Sequence, residues 1–138
     1  MPQDSAGKVA VSTTDAPVPV AAFSQGVIKG GIFQVSGQGP VDAATNQYLF
    51  PGDVAGQTTQ TLGNIQAILK AGGASFEDVS MVRVYLTERS LFPAFNEAYT
   101  AFMETNAGEV FPCRTTVFVG LPHPDMLVEI DALAVVGS

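Results

Sequence analysis

The chain has 138 residues, 46% of them hydrophobic and only 14% charged, against roughly 25% charged in an average soluble domain. That length suits one core-bearing domain, read here as spanning 1–138, and so few charges point to surface buried in a homo-oligomer. A net charge of −7 with six scattered Lys and Arg argues against a nucleic-acid partner, because phosphate recognition needs clustered cations.

The opening "MPQDSAGKVAV" lacks the apolar stretch of a secretory signal, and no apolar run reaches the roughly 18 residues of a membrane span. A single cysteine, Cys113, excludes an intrachain disulfide and fits a reducing compartment. The expectation is a cytoplasmic protein with no membrane contact. Within the first residues a short strand precedes an irregular lead-in at Pro17 and Pro19. "SQGVIKGGIFQVSGQGP" then reads as two strands meeting in a hairpin at Gly30-Gly31. A loop rich in turn formers follows Gly39-Pro40.

From Asp53 to Ala71 the period becomes helical. Leu62, Ile65, Ile68 and Leu69 form the apolar stripe, Asp53 is the candidate cap and Gly72-Gly73 the stop. "VSMVRVYLT", Val79 to Thr87, is a strand rich in β-branched residues. A second helix is expected after Ser90 as cap, with Pro93 in its first turn and Phe92, Phe95, Tyr99 and Phe102 on its buried face. Two strands close the chain, from Arg114 to Gly120 and from Leu127 to Val136, joined by the proline-stiffened "LPHPD". The order β-β-β-α-β-α-β-β predicts an α+β fold of two layers, with a mixed six-stranded sheet and two helices on one face.

In the final strand Val128, Ile130, Ala132, Ala134 and Val136 share the face that packs under the helices. Glu129 and Asp131 then project to the other face with Leu127, Leu133 and Val135, on a largely apolar surface. Arg114, one of three arginines, begins the preceding strand and is expected close enough to share that surface, though sequence alone does not fix the pairing register. Two readings fit Arg114 and Glu129. They are charges paired across a sheet or subunit boundary, or they form a small-anion site in which an Arg fork holds a carboxylate and a desolvated Glu activates water.

Other candidates carry less. "SGQGP", Ser36 to Pro40, is a strand-ending turn or a place of close ligand approach, and no helix follows it as a dinucleotide fingerprint requires. His123, between two prolines, is expected as an exposed turn residue, and no second His or Cys accompanies it to make a metal site. Cys113 is expected as a buried, inert thiol. Ser24 and Ser36 lack a histidine partner for nucleophilic chemistry. Asn96 is a polar group on the second helix, facing solvent unless a pocket opens there.

Taken in order, "AAFSQGV", "FQVSGQGPVD", "QTTQTLGNIQAILKAGGASFEDV", "VRVYLT", "FNEAYTAF", "FPCRTTV" and "VEIDALA" resemble the Rid (YjgF-like) reactive-intermediate deaminases from about Ala21 to Val136. The resemblance implies a chorismate-mutase-like fold, a homotrimer with ligand clefts between subunits, and no cofactor. It implies hydrolysis of 2-imino and 2-enamino acids of the 2-aminoacrylate type to 2-oxo acids and ammonia. On this resemblance Arg114 holds the substrate carboxylate and Glu129 positions the water. Gly37 beside Ser36, Asn96 and Thr116 line the cleft.

The family usually enters its second strand with Gly-Pro-Tyr, where this chain has Ala21-Ala22-Phe23. Phe23 keeps the ring of the cleft wall and lacks one hydroxyl hydrogen bond, worth ~0.5–1.5 kcal/mol. The alternatives are a non-catalytic trimer binding small carboxylic metabolites and a deaminase of another enamine, such as an aminomuconate-like catabolite. Ribonuclease activity, an old label in the family, is the least favoured for so acidic a chain.

Overall fold

A computed structural model describes residues 7–137, so the first six residues of the N-terminal reading lie outside it. The strands are β1 (Val9–Val11), β2 (Gly26–Lys29), β3 (Ile32–Gln38), β4 (Val79–Leu86), β5 (Cys113–Phe118) and β6 (Val128–Val135). The helices are α1 (Val54–Ala71), between β3 and β4, and α2 (Phe92–Asn106), between β4 and β5. They form one six-stranded sheet in the order β1-β2-β3-β6-β4-β5. β4 and β5 run parallel, and every other pairing is antiparallel. The expected two-layer α+β architecture is the observed one.

Local chemistry explains most boundaries. Gly30 and Gly31 hold φ of 58° and 81°, the left-handed pair that a two-residue hairpin between β2 and β3 requires. The Asp53 carboxylate accepts from the Gly56 N–H at 3.0 Å, capping α1 as expected. Ser90 does not cap α2: its hydroxyl reaches Glu88 at 3.4 Å. A 3₁₀ turn over Arg89–Leu91 winds directly into the helix instead, and Pro93 stands in the first turn, where its missing N–H costs no helical bond.

Phe33 and Val35 of β3, Val82, Val84 and Leu86 of β4, and Val128, Ile130, Ala132 and Ala134 of β6 bury their side chains under the helices. Leu62, Ile65, Ile68 and Leu69 of α1 and Phe95, Tyr99 and Met103 of α2 meet them. Alternation in β6 therefore sorts faces as predicted.

The opposite sheet face, bare in the single chain, is less apolar than expected. Asp131 accepts from Arg83 Nε at 2.8 Å and from the Tyr85 hydroxyl at 3.1 Å. This cross-strand cluster satisfies a carboxylate that would otherwise be costly to bury. Two smaller expectations also change. Cys113 is exposed, since β5 is the sheet edge. His123 is half-buried, stacked on Tyr48 with ring centroids 3.8 Å apart.

Candidate active site

Arg114 lies on β5 in register with Val82, and paired residues on adjacent strands point to the same side of a sheet. Val82 belongs to the core, so the Arg114 side chain faces the helix layer. There its Nη1 donates to Asn96 Oδ1 at 2.8 Å. Its guanidinium lies 4.7 Å from the Tyr99 ring centroid, 5.5 Å from Phe95 and 5.7 Å from Phe92. Three rings and one amide thus fix the plane of the fork while leaving further N–H donors for a ligand.

The hydroxyls of Tyr99 and Thr116 are buried without a hydrogen-bond partner among the described residues. Thr116 shares Arg114's face two residues along β5. Burial pushes the Tyr99 phenol up to about 12 against the opposing pull of Arg114, so it remains a neutral donor.

Glu129 has different surroundings. It pairs with Tyr85 on β4 and projects to the bare face, between Val128 and Ile130, which are both fully buried. Its carboxyl is raised above the ordinary value of 4.5, first by burial and then by the charge of Asp131. Its carboxylate forms no hydrogen bond or ion pair among the described residues. The pairing of β3 with β6 shifts between Val35 and Gln38, a bulge that turns Gly37 towards Glu129. A Cβ at Gly37 would overlap the Glu129 carboxylate, which gives the glycine a steric reason.

Beside Glu129 opens a cleft of about 580 Å³ lined by Phe23, Gly37 and Glu129 together with residues of the 17–21 and 39–48 loops, Pro122 and Met126. Ser36 stands behind it, its hydroxyl donating to the Ser24 carbonyl at 2.6 Å, which ties the Phe23 segment to β3.

The seven residues expected at the site therefore fall into two groups. Phe23, Ser36, Gly37 and Glu129 gather at the cleft, and Asn96, Thr116 and Arg114 gather beneath α2. β4 lies between β5 and β6, so the last two strands are not neighbours. Arg114 and Glu129 occupy opposite faces of one sheet. Within a single chain they do not meet, which corrects the shared surface expected from sequence.

Some positioning residues were not anticipated. Gln57 of α1 donates to the Phe50 and Asp125 carbonyls at 3.2 and 2.9 Å and accepts from Leu127 N–H at 2.9 Å. Asn64 donates to the Gly39 and Val41 carbonyls at 3.1 and 2.9 Å. Gln25 binds Thr13 through both its carbonyl and its amide and also reaches the Pro17 carbonyl at 2.8 Å. These buried amides pin the loops that wall the cleft. For Gln57 and Asn64 the sequence signal was polar residues interrupting the buried stripe of α1; Gln25, just before β2, carried none.

Among the described residues no cluster of His, Cys, Asp or Glu is placed to hold a metal ion, and no helix is long and apolar enough to cross a membrane.

A mixed sheet backed by two helices, with an edge-strand arginine and a cleft carboxylate, defines the fold class that the sequence motifs suggested. Residues 13–136 match the family model described as "Endoribonuclease L-PSP", and the chain belongs to this family, the YjgF/Rid family. It is 39% identical to the RutC family protein PH0854 of Pyrococcus horikoshii over 127 residues, 92% of this chain and 97% of that one. It is 35% identical to the 2-iminobutanoate/2-iminopropanoate deaminase of Escherichia coli K12 over 125 residues, 91% and 95% of the two chains. The crystal structure of E. coli TdcF with bound serine superposes with a TM-score of 0.86 at 32% identity, covering 94% of this chain and 99% of that one.

Proposed function

We propose that the protein is a hydrolytic deaminase of reactive 2-imino and 2-enamino acids, working in clefts shared between subunits of a homotrimer. The observation that carries this reading is the split itself. A guanidinium already aimed by Asn96 and a carboxylate with a raised pKa face opposite sides of one chain. Only a neighbouring copy brings the two chemistries together. The exposed edge strand β5, with Val117 39% and Phe118 40% exposed, offers that copy an apolar surface.

In the shared cleft Arg114 of the partner subunit grips the substrate carboxylate through two charge-assisted hydrogen bonds. Glu129 holds a water against the imine carbon. As the water oxygen bonds to that carbon, Glu129 takes a proton from it and passes it to the imine nitrogen, giving a carbinolamine. In the second step the hydroxyl proton moves by way of Glu129 to the amino group. The C–N bond breaks, ammonia leaves and a 2-oxo acid remains. A half-buried carboxyl suits both transfers, because its affinity for protons is raised towards working pH.

The test is ammonia release from imines generated in situ by an amino-acid oxidase, with semicarbazide as competing trap. Wild type should accelerate release, and Arg114→Ala should abolish the acceleration. Glu129→Gln should lower kcat by ~10²–10⁴-fold, the usual reach of one positioned acid–base group. Unchanged turnover in Arg114→Ala would remove the clamp from the mechanism.

Phe23, which lacks a ligand-facing hydroxyl, favours a second reading, a trimer that binds small carboxylic metabolites without turnover. A thermal shift with 2-oxobutyrate and no hydrolysis of any imine would select it. The family model's endoribonuclease description finds little support in a chain of net charge −7 with no basic patch.

A further inference from the structure

We infer that Asp131 is a positioning residue for Glu129: by drawing both donors that β4 sets opposite the two acids, it leaves the Glu129 carboxylate free to hold water and take its proton. This rests on the deaminase reading above and concerns the same reaction. The first ground is register. β6 presents Glu129 and Asp131 to the bare face two positions apart, and β4 sets a donor opposite each, Tyr85 against Glu129 and Arg83 against Asp131. One donor for each acid would be the simple pairing, since directly opposed side chains are neighbours.

The hydrogen bonds depart from that pairing. Asp131 accepts from Arg83 Nε at 2.8 Å through Oδ1 and from the Tyr85 hydroxyl at 3.1 Å through Oδ2. The phenol passes its own cross-strand partner and reaches the diagonal residue, a span that an aromatic side chain covers. Both Asp131 oxygens are engaged, and Glu129 is left with no donor from β4.

The second ground is what surrounds Glu129. The titratable and charged groups that face it among the described residues are Asp131 on its own strand, Tyr85 and Arg83 on β4, and Tyr48, which lines the same cleft. β3 brings Gly37 and Gln38, neither of them titratable, and the Gln38 amide donates to the Ser36 carbonyl at 3.4 Å. A donor on Glu129 would stabilise its charged form, lower its affinity for protons and occupy an oxygen that the water needs. The carboxyl stays above its ordinary value, first through burial and then through the charge of Asp131, as suits an acid that no donor engages.

The experiment compares wild type, Asp131→Val, Asp131→Asn and a triple variant that adds Arg83→Met and Tyr85→Phe to Asp131→Val. Each is assayed for imine hydrolysis across pH, and its Glu129 carboxyl is titrated by carbon NMR. Asp131→Val keeps a β-branched side chain on the strand and frees both donors for Glu129. Its kcat should fall at least tenfold, part of the ~10²–10⁴-fold reach of a positioned base, and the Glu129 titration should move to lower pH. Asp131→Asn, nearly the same shape, keeps an accepting oxygen, and its titration should fall between those of wild type and Asp131→Val. The triple variant has no donor to turn on Glu129. Its kcat and titration should return towards wild type, short of it by the lost charge of Asp131. A merely structural Asp131 would instead leave the triple variant no better than the single one. That result, or Asp131→Val with the wild-type kcat and titration, would overturn the inference and leave the deaminase reading intact. If wild type hydrolyses no imine, the deaminase reading fails, and the Glu129 titrations alone decide whether Asp131 draws off the donors.

Discussion

Glu129 shows how one residue's surroundings set its chemistry. Its carboxyl is raised in the fold by burial and by Asp131, so the folded state favours its protonated form. The stabilisation this gives is fully present below the ordinary value of 4.5 and is lost as pH rises through the raised one. At neutral pH the ionised form weighs against folding. Glu129→Gln should therefore melt at a higher temperature than wild type at pH 7, with the difference vanishing below about pH 4. Thermal unfolding across that range checks it.

In the proposed mechanism the same ionisation sets an acid limb on catalysis, since a base must be unprotonated to accept the water's proton. kcat should fall on acidification with an apparent pKa above 4.5. Gly37 supplies a separate control. The side chain of Gly37→Ala would intrude on the carboxylate, displacing the base while leaving the core untouched. Its unfolding temperature should stay near wild type while kcat drops at least about tenfold, as a misplaced catalytic group implies. A fully active Gly37→Ala would mean that Glu129 has room to move.

At the scale of elements, the hairpin of β2 and β3 depends on its two left-handed glycines. Gly31→Ala combines a φ of 81° with a Cβ only 3.1 Å from the Val136 carbonyl. It should cost at least about 1–2 kcal/mol from the left-handed conformation, read as a lowered unfolding midpoint.

Turns, caps and periodicity are local, and this explains what could be read in advance. The hairpin glycines, the Asp53 cap, the apolar stripe of α1 and the alternation of β6 all follow from residues within a few positions of one another. The Ser90 cap was misplaced because a 3₁₀ turn competes with a side-chain cap, and composition does not separate the two. The insertion of β4 between β5 and β6 is a long-range choice that no local pattern encodes. The Arg83–Asp131–Tyr85 cluster depends on it. So does the placement of Arg114, whose residue type suggested an anion site while its face was set by a strand thirty residues earlier.

For the whole molecule, the two half-sites lead to a mixing experiment. Arg114→Ala and Glu129→Gln are each expected to be inactive alone. Refolded together they should regain activity, because some clefts would combine an intact Arg114 with an intact Glu129 from the other chain. Random assembly in a head-to-tail ring gives about a quarter of the clefts both intact residues. A site contained within one chain would regain nothing. Gel filtration should place the wild type well above the monomer mass of 14.4 kDa, and elution at that mass would remove the shared cleft altogether.

β4 holds the arginine strand and the glutamate strand apart, so in the proposed trimer each chain would lend its cation to one neighbour and its base to another. A newly made, unassembled copy would then be inert, and output would depend on encounter as well as on abundance. Within a mixed population, a chain impaired at one of the two residues would silence a single cleft, while a chain impaired at both would silence two. Activity then declines in proportion to the dose of the first kind and with the square of the remaining intact fraction for the second.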